Sequence, residues 1–146
     1  CFNSVENITF NNVNENSATI NIQDAVSSEW RYKVYPYPGN TFLWQETTSN
    51  NFDIENLSSN TYYEVLVGNL CGNGLIGGEL RRLLLTDGNY CGGETFTDTG
   101  STSGNYGDNE YLVKTFYPSN DNEAITLDFI YFDLVFYLLR LNIPLR

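Results

Sequence analysis

Two pairs of carboxylates are the residues of this chain whose spacing comes closest to that of a catalytic site. Asp53 lies two residues before Glu55, and Asp108 lies two residues before Glu110. In an extended strand this spacing places both side chains on one face, and a glycosidase needs two carboxylates about 5 to 10 Å apart in a cleft. However, Ile54 between the first pair is a predicted core residue, and the second pair lies in a Gly/Asn-rich turn. We therefore predict solvated polar positions and no enzyme activity.

Other types of catalytic chemistry lack a required residue. The 146 residues include no histidine, which removes the commonest general base and the usual zinc ligand. Cys91 would need a nearby base to act as a nucleophile, and the spacing of the three cysteines fits no zinc motif. The glycines around residues 72–78 are not followed by Lys-Ser or Lys-Thr, so a hairpin loop is favoured over a phosphate site.

A small set of acidic side chains provides the candidate metal ligands. Asp98, Asp108 and Glu110 carry the oxygen donors that calcium prefers. Their order does not follow that of an EF-hand, and a polar turn is the alternative interpretation. We expect this chain to have no cofactor, and calcium is the one alternative.

A cluster of aromatic residues around a Pro-Gly turn is the candidate ligand-binding surface. Its members are Tyr35, Tyr37, Phe42 and Trp44. Exposed aromatic rings on a loop can stack on sugars or anchor a protein partner. The alternative is that these rings fill the turn and pack against the sheet.

The charge balance excludes two classes of partner. Eighteen acidic residues against seven basic ones give a net charge of −11. Nucleic acid and anionic membrane surfaces both need a basic face, so we expect neither. The longest apolar stretch, residues 134–139, is too short to span a bilayer, and we expect no membrane insertion.

The pattern of apolar residues predicts short strands rather than helices. Side chains that alternate along the chain form three sets: Ala18, Ile20 and Ile22; Trp30, Tyr32 and Val34; and Tyr63, Val65 and Val67. This period of two residues indicates strands with one buried face. About seven such strands, separated by Asn, Ser, Gly and Pro, predict an all-β sandwich over residues 1–87.

The last set begins at a predicted structural corner. Leu57 is followed by a polar turn and then by Tyr62 and Tyr63 at the start of a strand. This order is typical of a tyrosine corner, in which the hydroxyl bonds to the backbone just upstream. We predict that Leu57 and Tyr63 form such a corner.

Several motifs occur together and in order within residues 1–87. They are Asn7-Ile8-Thr9-Phe10, Asn16 to Ile22, Tyr32-Lys33-Val34, Leu57 to Tyr63 and Leu85-Thr86. This set resembles a fibronectin type III domain, which implies an immunoglobulin-like β-sandwich. The family usually carries a tryptophan where this chain has Ile22, so we expect Trp30 or Trp44 to fill the space. In secreted bacterial members a cysteine pair at similar positions ties down the first strand, which implies a disulfide between Cys1 and Cys71.

The motifs after residue 87 differ from those before it. They are Cys91-Gly92-Gly93, Asp98-Thr99-Gly100, Gly104-Asn105-Tyr106 and Phe132-Asp133-Leu134. In this order they resemble the first half of a CUB-like domain, a secreted β-sandwich, so residues 88–146 are expected to be a truncated CUB-like segment with a strand over residues 124–129. Val135 stands where many members carry a calcium-binding glutamate, so the resemblance does not supply a calcium site.

The two ends of the chain suggest a piece of something longer. Methionine is absent, including from position 1, and we expect a processed product or part of a longer polypeptide. Residues 135–146 leave the CUB-like pattern. They are expected to be either a sequence translated out of frame or a genuine final strand with an apolar face.

The two resemblances together imply a secreted, multi-modular protein of the Bacteroidetes type. We expect a non-catalytic binding, adhesion or spacer module of a larger secreted or cell-surface protein, whose partner is a protein or a polysaccharide. The alternative is a carbohydrate-binding accessory segment of an exported protease or glycoside hydrolase, with Trp44 and Tyr37 in contact with the sugar.

The implied disulfide gives the first test. A Cys1–Cys71 bond closes a loop of about 70 residues and should stabilise the fold by roughly 4 kcal/mol in the chain-entropy model. We expect denatured protein to take up two more alkyl groups after reduction than before it, measured by intact mass. Equal masses with and without reduction would show that both thiols are free.

Overall fold

Seven strands form the regular structure of residues 7–85. They are β1 (Asn7–Asn11), β2 (Ser17–Gln23), β3 (Trp30–Pro36), β4 (Gln45–Thr47), β5 (Asn51–Glu55), β6 (Tyr62–Cys71) and β7 (Leu75–Leu85). The computed structural model describes residues 4–71, 75–108, 110–118, 120 and 122–130. The predictions for Cys1, for residues 72–74 and for the tail 135–146 lie outside the described residues.

The strands form two antiparallel sheets. One sheet has the order β1-β2-β5, and the other has the order β4-β3-β6-β7. Strand β6 lies at the centre of the larger sheet, paired with β3 on one side and with β7 on the other. This arrangement confirms the predicted all-β sandwich, because the alternating side chains of each sheet have an apolar face to bury.

The core lies between the two sheets and uses the alternating residues that the sequence indicates. Ile20 from one sheet and Val65 and Val67 from the other are fully buried. Trp30 also belongs to the core, and its indole N–H donates to Asp24 Oδ2 at 3.1 Å. Of the two tryptophans expected to fill the space near Ile22, Trp30 is therefore the one in the core. Full burial of an Ile or Val side chain contributes about 1.5 to 3 kcal/mol to the free energy of unfolding.

The corner before β6 has the hydrogen bond that its sequence predicts. The backbone N–H of Ser58 donates to the Tyr63 hydroxyl oxygen at 2.8 Å. Tyr63 is buried in the core, and Leu57 packs against the same cluster. The turn is further held by Thr86, whose hydroxyl accepts from the Thr61 N–H at 2.9 Å and donates to the Ser58 carbonyl at 2.7 Å. The corner thus joins the start of β6 to the end of β7.

One connection differs from the sequence-based expectation of a hairpin loop around residues 72–78. Strand β7 begins at Leu75, and the residues from there through the glycine-rich stretch are part of the strand that pairs with β6. Strand β4, by contrast, is short and covers only Gln45–Thr47. Gly78 also bridges to Ser4, and a Cβ at this glycine would lie 2.8 Å from the Ser4 side chain. The glycine therefore permits a close approach of two chain segments.

The chain after β7 differs from the predicted second sandwich. Between residues 88 and 130 the described residues contain one 3-10 helix, Tyr90–Gly92, and no strand. The predicted strand over residues 124–129 is wrong, since those residues are irregular. The CUB-like architecture is thus not confirmed.

The chain divides into two compact units, residues 1–115 and residues 116–146. The first unit holds the sandwich. It extends past residue 87, the predicted end of the first domain. In the second unit the Asn120 side chain donates to the Glu123 carboxylate at 2.7 Å, and the Glu123 N–H donates to the Asn120 carbonyl at 3.1 Å. These two bonds link Asn120 to Glu123.

The cysteines lie in different settings. Cys71 ends β6 and is not a free thiol, whereas Cys91 is exposed and free. Because Cys1 lies outside the described residues, the Cys1–Cys71 disulfide remains a prediction.

The corner bond is testable by removing one oxygen atom. Tyr63→Phe keeps the buried ring but leaves the Ser58 N–H without its partner, so the free energy of unfolding should fall by about 1 kcal/mol. Tyr111→Phe is the matched control, because its ring is exposed. Chemical denaturation measures both changes. Equal stability of the Tyr63→Phe variant and the unsubstituted chain would show that the corner bond contributes nothing.

Candidate binding surface

The outer face of the larger sheet is covered by charged and aromatic side chains. In β3 the residues Arg31, Lys33 and Tyr35 alternate with the core-facing residues and so point away from the core. Arg31 forms an ion pair with Glu79 of β7. Glu64 of β6 forms a second ion pair with Arg81 of β7. The sheet therefore carries a band of alternating charge across three strands.

Trp44 is held against this band by two cations. The guanidinium of Arg31 lies 4.1 Å from the centre of the Trp44 ring, and the ammonium of Lys33 lies 5.0 Å from it. Lys33 also donates to the Asn40 side chain and to the Thr41 carbonyl, both at 3.3 Å. Cation–π contacts of this kind contribute about 0.5 to 1 kcal/mol each at exposed sites. The loop between β3 and β4 is thus fixed at its base.

Tyr35 and Tyr37 are also engaged with the sheet. Tyr35 is buried, and its hydroxyl donates to the Glu64 carboxylate. Burial and this hydrogen bond raise the pKa of the Tyr35 hydroxyl to about 12. Glu64 pairs with Arg81 at 2.6 Å, and the Arg81 guanidinium lies 5.5 Å from the centre of the Tyr37 ring. Neither ring is therefore a free contact residue.

Phe42 is the predicted contact residue that remains open to solvent. It is 91% exposed, and its neighbour Leu43 is 79% exposed. We call these two residues the Phe42 tip. Of the four predicted contacts, Tyr35, Tyr37 and Trp44 support the loop and Phe42 projects from it. Leu43 is not among the predicted contact residues, although two adjacent apolar residues after a Pro-Gly turn can indicate an exposed pair.

The carboxylates that resembled a catalytic site have local partners. Asp53 accepts a hydrogen bond from the Thr19 hydroxyl at 2.6 Å, and Glu110 accepts from Thr99 at 2.5 and 2.7 Å. Two recesses within the described surface are open and polar. One is lined by residues 14–16, Asp87 and Gly88, and the other by Asn12, Asn14, residues 17–19, Asp53 and Glu55. These are features of polar turns and of a solvated strand face.

The calcium candidates do not form a group in the part of the chain that the structure describes. Asp98 accepts from the Gly100 N–H at 2.8 Å, and Glu110 is held by Thr99. No cluster of three or more acidic, cysteine or histidine residues suited to a metal occurs among the described residues. Calcium binding by Asp98, Asp108 and Glu110 therefore remains a prediction without a supporting arrangement.

Among the described residues, none lies in a helix of the length and apolarity needed to cross a bilayer.

The chain was compared with known proteins and structures. No protein-family model and no curated protein sequence matches it. Solved structures do match. A computationally redesigned β-sandwich protein is 16% identical with a TM-score of 0.51, and the match covers 60% of this chain and 92% of that one.

Two further structures are natural proteins from chicken. A two-domain fibronectin type III segment of tenascin is 20% identical with a TM-score of 0.51, covering 56% of this chain and 49% of that one. The FN1–FN3 domains of CNTN1 are 11% identical with a TM-score of 0.51, covering 60% and 32%. The chain thus spans less than two thirds of either natural structure. These likenesses show that the sandwich has a fibronectin type III-like fold.

Proposed function

We propose that this chain is a non-catalytic module of a larger secreted or cell-surface protein, and that it binds a protein partner through the Phe42 tip. The observation that carries this proposal is the contrast between the base and the end of one loop. The base is fixed to the sheet by Arg31 and Lys33, whereas Phe42 and Leu43 project into solvent.

A fixed loop with an apolar end is suited to binding because little freedom remains to be lost. Ordering a mobile side chain or loop on association costs about 0.5 to 1.5 kcal/mol for each flexible side chain. The contacts of Lys33 with Asn40 and Thr41 have already ordered the backbone beside Phe42. A large aromatic side chain that enters a pocket on the partner is a common energetic anchor.

The charge of the chain indicates the character of the partner. With eighteen acidic and seven basic residues, the module attracts surfaces of positive potential. We expect the partner to carry an apolar pocket with lysine or arginine residues around its rim. Such a rim would speed the encounter, and the pocket would supply most of the affinity.

The proposed context of a larger protein is supported by the fold. The tenascin match is a segment of two fibronectin type III domains, and the CNTN1 structure contains domains FN1 to FN3. Both are arrays of such domains. Because a fold alone assigns no ligand, the partner proposed above depends on the Phe42 tip and on the charge.

Carbohydrate binding is the second candidate, and the geometry favours it less. Sugars stack on open faces of aromatic rings. Arg31 and Lys33 lie against the Trp44 ring, and Arg81 lies against the Tyr37 ring. A sugar would have to use the remaining ring faces or displace these cations. The proposed accessory role in an exported protease or glycoside hydrolase depends on the same carbohydrate binding.

The proposal can be tested with the full chain on two arrays, one of extracellular matrix proteins and one of glycans. Phe42→Ser removes the anchor without changing the loop base. Val26→Ser is the matched control, because Val26 is 70% exposed and lies in the β2–β3 connection, outside the Phe42 loop. We expect binding to at least one basic matrix protein, weakened at least tenfold by Phe42→Ser and less than twofold by Val26→Ser.

Other results would contradict the proposal in distinct ways. Glycan binding that is lost in Trp44→Ala and kept in Phe42→Ser would establish the carbohydrate alternative. Protein binding that both serine variants retain would place the contact elsewhere on the module. An absence of binding on both arrays would favour a spacer role.

A further inference from the structure

Two leucines at the end of β7 are buried on the side of the sheet that faces away from the core. Leu83 lies opposite Glu64 of β6, and Leu85 lies opposite Tyr62. Glu64 and Tyr62 alternate with the core residues of β6, so these pairs share the outer face. Leu83 and Leu85 are nevertheless only 3% exposed, and neither belongs to the core cluster. Something other than the second sheet must cover them.

The chain that follows β7 reaches this face of the sheet. The Tyr62 hydroxyl, on the same face as Leu85, donates to the Thr97 carbonyl at 2.7 Å. Burial raises the pKa of the Tyr62 hydroxyl, and the nearby Asp98 carboxylate raises it further. The Tyr90 hydroxyl donates to the Asn60 side chain at 2.8 Å, which fixes the beginning of this segment to the corner turn. We call residues 88–108 and 110–114 the strap.

One lysine near the end of the strap contacts the residues that directly precede the strap. The Lys114 side chain is only 7% exposed and forms an ion pair with Asp87. Its ammonium also donates to the Thr86 carbonyl at 3.4 Å and lies 5.6 Å from the centre of the Tyr90 ring. The two ends of the strap are therefore joined at the end of β7.

Side chains provide most of what holds the strap in place. Its described residues include only a three-residue helix, and the backbone hydrogen bonds of those residues connect near neighbours, as from the Gly93 N–H to the Tyr90 carbonyl. Inside the strap, Thr99 donates to Glu110 across eleven positions. At the far end, the Lys114 ion pair acts together with the Arg82 guanidinium of β7, which lies 5.1 Å from the centre of the Tyr111 ring. Without the Lys114 contact, the far end of the strap would keep only this cation–π contact as a charged attachment.

We propose that Lys114 and Asp87 form a clasp that keeps the strap closed over an apolar surface of the outer sheet face, and that opening the clasp uncovers Leu83 and Leu85. The strap therefore covers, within the same chain, a second apolar surface that is distinct from the Phe42 tip. The sandwich itself does not depend on the clasp, because its core lies on the other side of the sheet.

The test uses the free thiol that the strap already carries. A fluorescent maleimide on Cys91 of the full chain reports strap motion through its anisotropy, and intact mass verifies that one label is attached. We expect Lys114→Ala to lower the label's anisotropy by about a third and to raise the fluorescence of the apolar dye ANS at least threefold. Lys114→Arg should restore both values, and Glu29→Ala, which removes an exposed charge outside both the clasp and the Phe42 loop, should change neither.

A second substitution distinguishes a clasp from a general loss of stability. Asp87→Asn should produce the same changes, and the double variant should add little to either single one, because both remove the same contact. The far-ultraviolet circular dichroism should remain that of the unsubstituted chain. Unchanged anisotropy and ANS fluorescence in Lys114→Ala and Asp87→Asn would overturn the proposal. So would loss of the β signal in both, since that would make the contact part of global folding.

Discussion

The packing of β6 is the constraint on which the rest of the structure depends. This strand has neighbours on both edges and an apolar face that buries Val65 and Val67 completely. Tyr63 enters the same core and ties the preceding turn through its hydroxyl. Once β6 is fixed, its other face must carry the residues that remain, which orients Glu64 and Tyr62 outward. The charged band and the covered leucines both follow from that orientation.

The sandwich was predictable because its information is local. Alternation along β2, β3 and β6 marks one buried face, and the polar turn before Tyr63 marks the corner. The resemblance to fibronectin type III domains and the structural matches agree on this fold. The tryptophan that enters the core could not be chosen beforehand, because both Trp30 and Trp44 lie next to strands. The choice depends on which face each residue occupies after pairing.

The second half of the chain was harder to predict for a physical reason. A strand with one buried face alternates, whereas the run Leu83-Leu84-Leu85 does not. Three consecutive buried leucines indicate a strand end that is covered on both faces, and this signal predicts a covering layer without identifying the segment that forms it. The motifs around Cys91 and Asp98 favoured a second sandwich, but most of the described chain there packs as irregular structure within the first unit. At the aromatic cluster, composition indicated which residues lie around the turn but not which of them is exposed. Burial, the hydrogen bond to Glu64 and the cation contacts distinguish Phe42 from its three neighbours.

The contacts of the basic side chains determine the charge that one copy of this protein presents to another. The five basic side chains of the described residues each contact a carboxylate or an aromatic ring; they are Arg31, Lys33, Arg81, Arg82 and Lys114. Positive charge is therefore neutralised locally, and the excess of acidic groups determines the potential seen from a distance. Two copies that approach with their apolar tips exposed repel each other over about 8 Å at physiological ionic strength. Raising the salt concentration shortens the range of this repulsion, so copies of the chain can approach one another more closely at high ionic strength.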